Sequence, residues 1–165
     1  SERRNKADTL RALIHALGDT SPKNIKKMLI FTAPAQEVET LAQKLQHKKI
    51  DAVPLYGKLE GSERKQISAR FRSGKTRILI TSDLPARGLD IADIDYIVQT
   101  QLSKDADAFI HRAGRTGRAG KKGVNIVIGD EYELRILQAL EKKLGITVYP
   151  KILTGGKIQS PSETA

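Results

Sequence analysis

Short apolar runs rich in β-branched residues alternate with longer stretches of helical spacing along most of this chain, and no other feature constrains the fold as much. Residues 28–32 (Met-Leu-Ile-Phe-Thr), 52–56, 77–82 (Arg-Ile-Leu-Ile-Thr-Ser), 96–99 and 124–128 read as strands. Their near-continuous hydrophobicity is that of parallel strands covered on both faces. Between them, residues 35–46 set Val38, Leu41, Ala42 and Leu45 on one helical face. Helices are also expected over 62–71, 106–112 and 132–144, the last with Leu134, Leu137 and Leu140 in step. A leading helix over 7–17 carries Leu10, Leu13, Ile14 and Leu17 along one side. Asp130 and Glu133 have the spacing of a capping box, and Gly145 suits the other end of that helix. Strand–helix alternation of this kind predicts an α/β domain whose mainly parallel sheet has about five or six strands, flanked by helices. From Thr154 the periodicity is lost, so the domain is assigned to residues 1–153 and a flexible tail to 154–165. Ligands of such open sheets sit at the carboxyl ends of the strands, which directs attention to the residues after Thr32, Tyr56, Ser82 and Gln99.

Bulk properties narrow the function classes. A chain of 165 residues can bury a core without disulfide or metal staples. No apolar run approaches the roughly 20 residues of a membrane span, so no membrane partner is expected. The first six residues, Ser-Glu-Arg-Arg-Asn-Lys, lack the apolar stretch of a signal peptide and read as a cut inside a longer chain. The absence of cysteine excludes disulfides and thiolate metal sites and suits the cytoplasm. His15, His47 and His111 are scattered, and no metal site is expected from them. Twenty-nine Lys and Arg against nineteen Asp and Glu give a net charge of +10, which favours a polyanionic partner. The plainer alternative is a solvated basic surface. With no Trp, three Phe and four Tyr, the chain has little to stack bases on, so a nucleic acid would be gripped by its backbone.

Two strings carry chemistry. In His111-Arg112-Ala113-Gly114-Arg115-Thr116-Gly117-Arg118, glycines allow tight turns while Arg115 and Arg118 can project together as planar forks. Guanidinium forks match phosphate oxygens better than lysine does. No acid interrupts residues 111–122, and Lys121 and Lys122 extend the patch. The other string, Ser82-Asp83-Leu84-Pro85-Ala86-Arg87-Gly88-Leu89-Asp90, follows a strand directly and offers a carboxylate and a turn glycine where a ribose or phosphate would sit. Its alternative is a strand-to-helix turn with a structural Arg–Asp pair. A third string, Ala69 to Thr76, imitates a phosphate-binding loop ending in Gly74-Lys75-Thr76. That loop works only between a strand and a following helix, whose amides face the phosphates. Here a helix precedes and a strand follows, so the string reads as a turn. The chain offers arginines suited to a γ-phosphate and nothing that cradles a nucleotide.

The ordered pair Ala86-Arg-Gly-Leu-Asp90 and His111 to Arg118 resembles motifs V and VI of the DEAD-box RNA helicases, and Ile30-Phe31-Thr32 resembles their motif IV. The resemblance spans residues 24–150 and identifies the chain as the C-terminal, RecA-like half of such a helicase, of three-layer α/β architecture. It implies that ATP with Mg²⁺ is held mainly by an N-terminal RecA-like domain absent from this chain, and that the fragment alone is inactive. Arg115 and Arg118 would then be arginine fingers on the γ-phosphate. Gly88 and Asp90 would stand beside the nucleotide. Arg87, His111 and Arg112 would couple the ATP and RNA sites across the domain seam. Thr32, Gly57, Gln66, Ser82 and Asp83 fall at the family's RNA-contact positions. The implied activity is ATP-driven local unwinding of an RNA duplex in the cytoplasm, with RNA and the N-terminal domain as partners.

Departures from the family pattern concentrate on the RNA side. Ala33-Pro34 replaces the usual Asn-Thr, Tyr56-Gly57 the usual His-Gly, and Gly61 a common Gln. Gln66 is followed by Ala69, with Arg70 one step past the usual arginine. Gln101 and Ser103 replace a frequent Asp and Pro, and Ser82 a Thr. These changes point to a divergent, bacterial-type member. Two other readings remain open at this stage: a non-enzymatic basic RNA-binding module, and a self-contained nucleotide hydrolase that depends on Lys75.

Overall fold

The computed structural model of the chain describes residues 6–18, 25–86, 94–116 and 123–161. Strands β1 (Met28–Phe31), β2 (Ala52–Leu55), β3 (Ile78–Thr81), β4 (Tyr96–Gln99) and β5 (Val124–Val127) fall within the runs expected to be strands. They form one sheet in the order β2-β3-β1-β4-β5. Every pairing is parallel, with Met28 in register with Ile78 on one side and Tyr96 on the other. The five strands and wholly parallel pairing agree with the expected α/β class.

Alternation along each strand divides the core. Met28 and Ile30 of β1, with Ile78, Ile80 and Val98, pack against α1 (Lys6–Leu17) and α2 (Gln36–His47). Leu29 and Phe31, with Leu79 and Ile97, face Phe71 of α3 (Gly61–Arg72). Phe71 is fully buried, so the modestly amphipathic α3 is held to the sheet largely by one aromatic side chain. A third cluster joins α5 (Ala106–Ala113) and α6 (Glu131–Leu144) through Phe109, Leu137 and Leu140. In the expected leucine row of α6, Leu137 and Leu140 are buried but Leu134 is exposed.

The capping box at α6 forms as its spacing predicts. Asp130 accepts from the Glu133 amide, the Glu133 side chain accepts from the Asp130 amide, and Gly145 ends the helix with φ 64°. Asp130→Ala is expected to lower domain stability by about 1 kcal/mol, read as a drop of roughly 2–4 °C in thermal midpoint for a domain this size. An unchanged midpoint would mean that the box adds nothing beyond the packing of α6.

Two elements differ from expectation. A single helical turn, α4 (Asp83–Ala86), follows β3 directly. The flexible tail expected from Thr154 is corrected over residues 154–159. There β6 (Ile152–Thr154) and β7 (Lys157–Gln159) pair antiparallel, and Leu153 packs on the α1 side of the core. Gly155 and Gly156 join them with φ of 57° and 72°. Positive φ at both central residues is the hairpin turn whose twist matches that of the strands, and Gly-Gly is one of its signatures. The strands are too short for alternation to reveal them.

Candidate arginine site at the carboxyl edge of the sheet

The sheet order brings the carboxyl ends of β1, β3 and β4 side by side, and α5 delivers its last turn to them. Asp105 caps α5 by accepting from the Asp107 amide at 3.0 Å, and its own amide donates to the Ser103 hydroxyl at 3.1 Å. Six and seven residues later the helix has carried His111 and Arg112 to the strand ends.

Arg112 is the hub of the site. Its Nε and Nη2 donate to the two carboxylate oxygens of Asp83 at 2.6 and 2.7 Å, a bidentate pair. Its Nη1 donates to Gln99 Oε1 at 3.2 Å and to the Gln101 carbonyl at 2.7 Å. The guanidinium also lies 5.4 Å from the centre of the Phe31 ring, within range of a cation–π contact. Only 4% of the Arg112 side chain is exposed, whereas Asp83 remains 42% exposed. Gln99, wholly buried, is engaged at both ends because its Nε2 donates to Asn125 Oδ1 at 3.1 Å. One arginine thus joins α5 to the ends of β1, β3 and β4.

Beyond α5 the backbone is pinned back to the domain. The Thr116 hydroxyl donates to the Ile94 carbonyl, and the two residues form an isolated parallel bridge. The chain turns tightly here, with the Arg115 and Thr116 amides donating to the Arg112 and Ala113 carbonyls at 3.2 and 3.3 Å, but Gly114 keeps φ of −67° and the turn needs no left-handed residue. A Cβ there would sit 3.2 Å from the Ile110 carbonyl oxygen, so close approach accounts for the glycine.

Arg115, Arg112, His111, Asp83, Phe31 and Asp105 border a recess of about 190 Å³. That volume is below the roughly 300–1,000 Å³ of sites that enclose a whole ligand. It fits a phosphate group, and the acids beside it are engaged: Asp83 by Arg112 and Asp105 as a helix cap. The Ala69–Thr76 string does close α3 and enter β3. The Ser73, Gly74 and Thr76 amides donate to the Ala69, Phe71 and Arg70 carbonyls, which occupies the donors a phosphate would need, and Lys75 is exposed.

The other expected site residues are dispersed. Thr32 lies on the α2 side of the sheet and lines a separate recess of about 400 Å³ together with Lys6, Thr100 and Glu133. Gly57 is exposed after β2, and Gln66 is exposed on α3. Tyr56 beside Gly57 is hydrogen-bonded to Glu39, which holds its hydroxyl above the usual pKa. Ser82 is half-buried at the end of β3, and its carbonyl accepts from the Ala86 amide at 3.2 Å. Arg87, Gly88, Asp90 and Arg118 lie outside the described residues. Sequence reasoning missed Phe31, Gln99 and Gln101 as partners of Arg112. Nothing in their spacing signals it, since the sheet order alone brings them together.

No helix among the described residues is long and apolar enough to cross a membrane. Residues 5–120 match the helicase conserved C-terminal domain. The chain is 36% identical over 145 residues to the DEAD-box ATP-dependent RNA helicase CshC of Bacillus cereus, covering 88% of this chain and 36% of that protein. It therefore spans little more than a third of the length of that curated relative. The C-terminal domain of the DEAD-box protein Dbp5 superposes with a TM-score of 0.73 at 33% identity, covering 87% of this chain and 80% of that one. Domain 2 of the DEAD-box helicase Mss116p, solved bound to an RNA duplex, gives a TM-score of 0.76 at 26% identity, with 87% of this chain and 57% of that chain covered. The match over most of the chain, the five-stranded parallel sheet and the arginine-bearing α5 lead to one conclusion: the chain belongs to the helicase conserved C-terminal domain family, as the C-terminal RecA-like domain of a DEAD-box RNA helicase.

Proposed function

We propose that this domain supplies the arginines and part of the RNA grip of an ATP-dependent RNA helicase that opens short duplexes in the cytoplasm. The observation that carries the reading is the recess bordered by Arg115. It is too small for a nucleotide, sits at the carboxyl edge of the sheet, and has its acids already engaged. A site of that kind is completed by a second surface, which we assign to an N-terminal RecA-like domain holding ATP with Mg²⁺. Bound there, the metal would offset charge on the β- and γ-phosphates.

In this scheme Arg115 and Arg118 meet the γ-phosphate as the two domains close. Gly88 and Asp90 border the nucleotide, and Arg87 and His111 lie along the seam. Arg112, buried and bonded to Asp83, Gln99 and the Gln101 carbonyl, positions α5. RNA-backbone contacts are assigned to Gly57, Gln66, Ser82 and Asp83 along an RNA-facing edge, and to Thr32 apart from them on the α2 side of the sheet. Asp83, tied to Arg112, links that edge to the arginine helix, so RNA and nucleotide are sensed by one rigid unit.

The test uses this chain alone and in its full-length parent. By itself the chain should show no ATP turnover above buffer, with or without RNA. Lys75→Ala should leave turnover by the full-length protein unchanged. Anisotropy titrations of single-stranded RNA with the isolated domain should give weak, salt-sensitive binding, with a log–log slope of about −0.7 for each phosphate contacted. Turnover by the chain alone that Lys75→Ala abolishes would make it a self-contained hydrolase instead.

A further inference from the structure

The segment Thr100–Gln101–Leu102, which leads from β4 into α5, is gripped from both sides of the sheet. On the arginine side, Arg112 Nη1 holds the Gln101 carbonyl at 2.7 Å. On the opposite side, Glu133 Oε1 accepts from the Leu102 amide at 3.4 Å, and Lys6 Nζ donates to the Thr100 carbonyl. Lys6 and Glu133 are themselves ion-paired, with their side chains 16% and 8% exposed. Glu133 Oε2 also accepts from the Asp130 amide at 3.0 Å. One carboxylate therefore binds the start of α6, the first turn of α1 and the entry to α5.

A helix cap alone does not account for this arrangement. The capping box requires only the reciprocal bonds between Asp130 and Glu133. The further bonds reach 31 residues back to Leu102 and 127 residues back to Lys6. A charge this deeply buried is costly unless paired and fully hydrogen-bonded. Beyond the cap, the pair bonds Thr100 and Leu102, both on the stretch that feeds α5. Leu102 itself is buried among Ala106, Phe109, Leu137 and Leu140, so displacing its backbone would move α5 as a body.

We propose that Lys6 and Glu133 are positioning residues for the arginine helix, setting the path of residues 100–102 so that Arg115 is presented correctly at the recess. The inference rests on the proposed role of Arg115. A misplacement of even about 1 Å at a reacting centre can cost up to 10²-fold in rate. The effect should appear in turnover more than in binding, because neither residue borders the Arg115 recess.

The experiment measures RNA-stimulated ATP turnover of the full-length protein carrying Lys6→Met, Glu133→Gln or both, with Lys6→Arg and Arg115→Ala in parallel. Thermal melts confirm that each variant is folded at the assay temperature. Each single change is expected to lower kcat about tenfold while the KM values for ATP and RNA shift less than about twofold. The double variant should be no worse than the poorer single one, as for two residues acting as a unit. Lys6→Arg, which keeps the charge, should recover most of kcat. Folded variants with normal kcat and only a lower melting point would overturn the proposal, since the pair would then be a structural tie. If Arg115→Ala also left kcat unchanged, the failure would lie with the proposed role of Arg115.

Discussion

Replacing Arg115 with alanine in the full-length protein is expected to lower RNA-stimulated ATP turnover about a thousandfold, the scale of an arginine that meets transferred phosphate. RNA affinity should stay within about twofold, because one charge among many makes a small share of a backbone grip. The site itself sets this asymmetry. Arg112 is buried and engaged by Asp83, Gln99 and Gln101, whereas Arg115 borders the recess one helical step later, where the chain is anchored by Thr116 to Ile94. Arg115→Lys should recover only a small part of the loss, since an ammonium cannot reproduce the planar fork. Single-turnover assays with saturating RNA separate chemistry from binding. Unchanged turnover combined with weaker, more salt-sensitive RNA binding would make the arginine string a basic surface and give precedence to a non-enzymatic RNA-binding role.

The fold was readable because its information is local. Runs such as Ile78–Thr81 are buried along their whole length, so composition alone marks them as central strands. The capping bonds between Asp130 and Glu133 close within the first turn of α6, so their spacing marks that helix without any tertiary contact. What escaped was short or distant. The hairpin Ile152–Gln159 has strands of three residues, and its Gly155-Gly156 turn was a cue outweighed by the loss of periodicity. The single turn Asp83–Ala86 has no period to detect.

The site was legible as residue types rather than as geometry. His111 to Arg118 announces phosphate chemistry by its forks and glycines, yet two arginines three positions apart look alike in sequence. Their difference arises from what surrounds them. The β4–β1–β3 arrangement sets Gln99, Phe31 and Asp83 around Arg112, and these residues stand 13, 81 and 29 positions away in the chain. The Arg–Asp pairing weighed as the plain alternative for the Ser82–Asp90 string does occur, but with Arg112 as the partner of Asp83. Thr32 and Ser82 both stand at strand ends in the sequence, yet the alternation continued from β1 turns Thr32 to the α2 side. That parity was present in the sequence and only needed an anchor for which face was which.

The same contrast makes Arg112→Ala the largest expected loss of stability. Removing it leaves wholly buried Gln99 without a donor, opens the bidentate grip on Asp83 and uncovers the Phe31 ring. Breaking a buried pair by deleting one partner costs about 3–5 kcal/mol. Asp83 is 42% exposed and can regain water, which discounts its share. A loss of about 3 kcal/mol follows, with the orphaned amide alone contributing roughly 1–3 of it. In this isolated domain that should lower the thermal midpoint by roughly 6–12 °C. Arg112→Lys should restore less than half, because one ammonium cannot hold Asp83, Gln99 and the Gln101 carbonyl together. Arg115→Ala in the same melts should cost less, about 1 kcal/mol or below, because Arg115 is half-buried and belongs to none of the three core clusters. Equal destabilisation by the two alanines would mean that the arginines share one structural task. Loss of stability at Arg112 and loss of turnover at Arg115 would instead divide the motif between a strut and a phosphate contact.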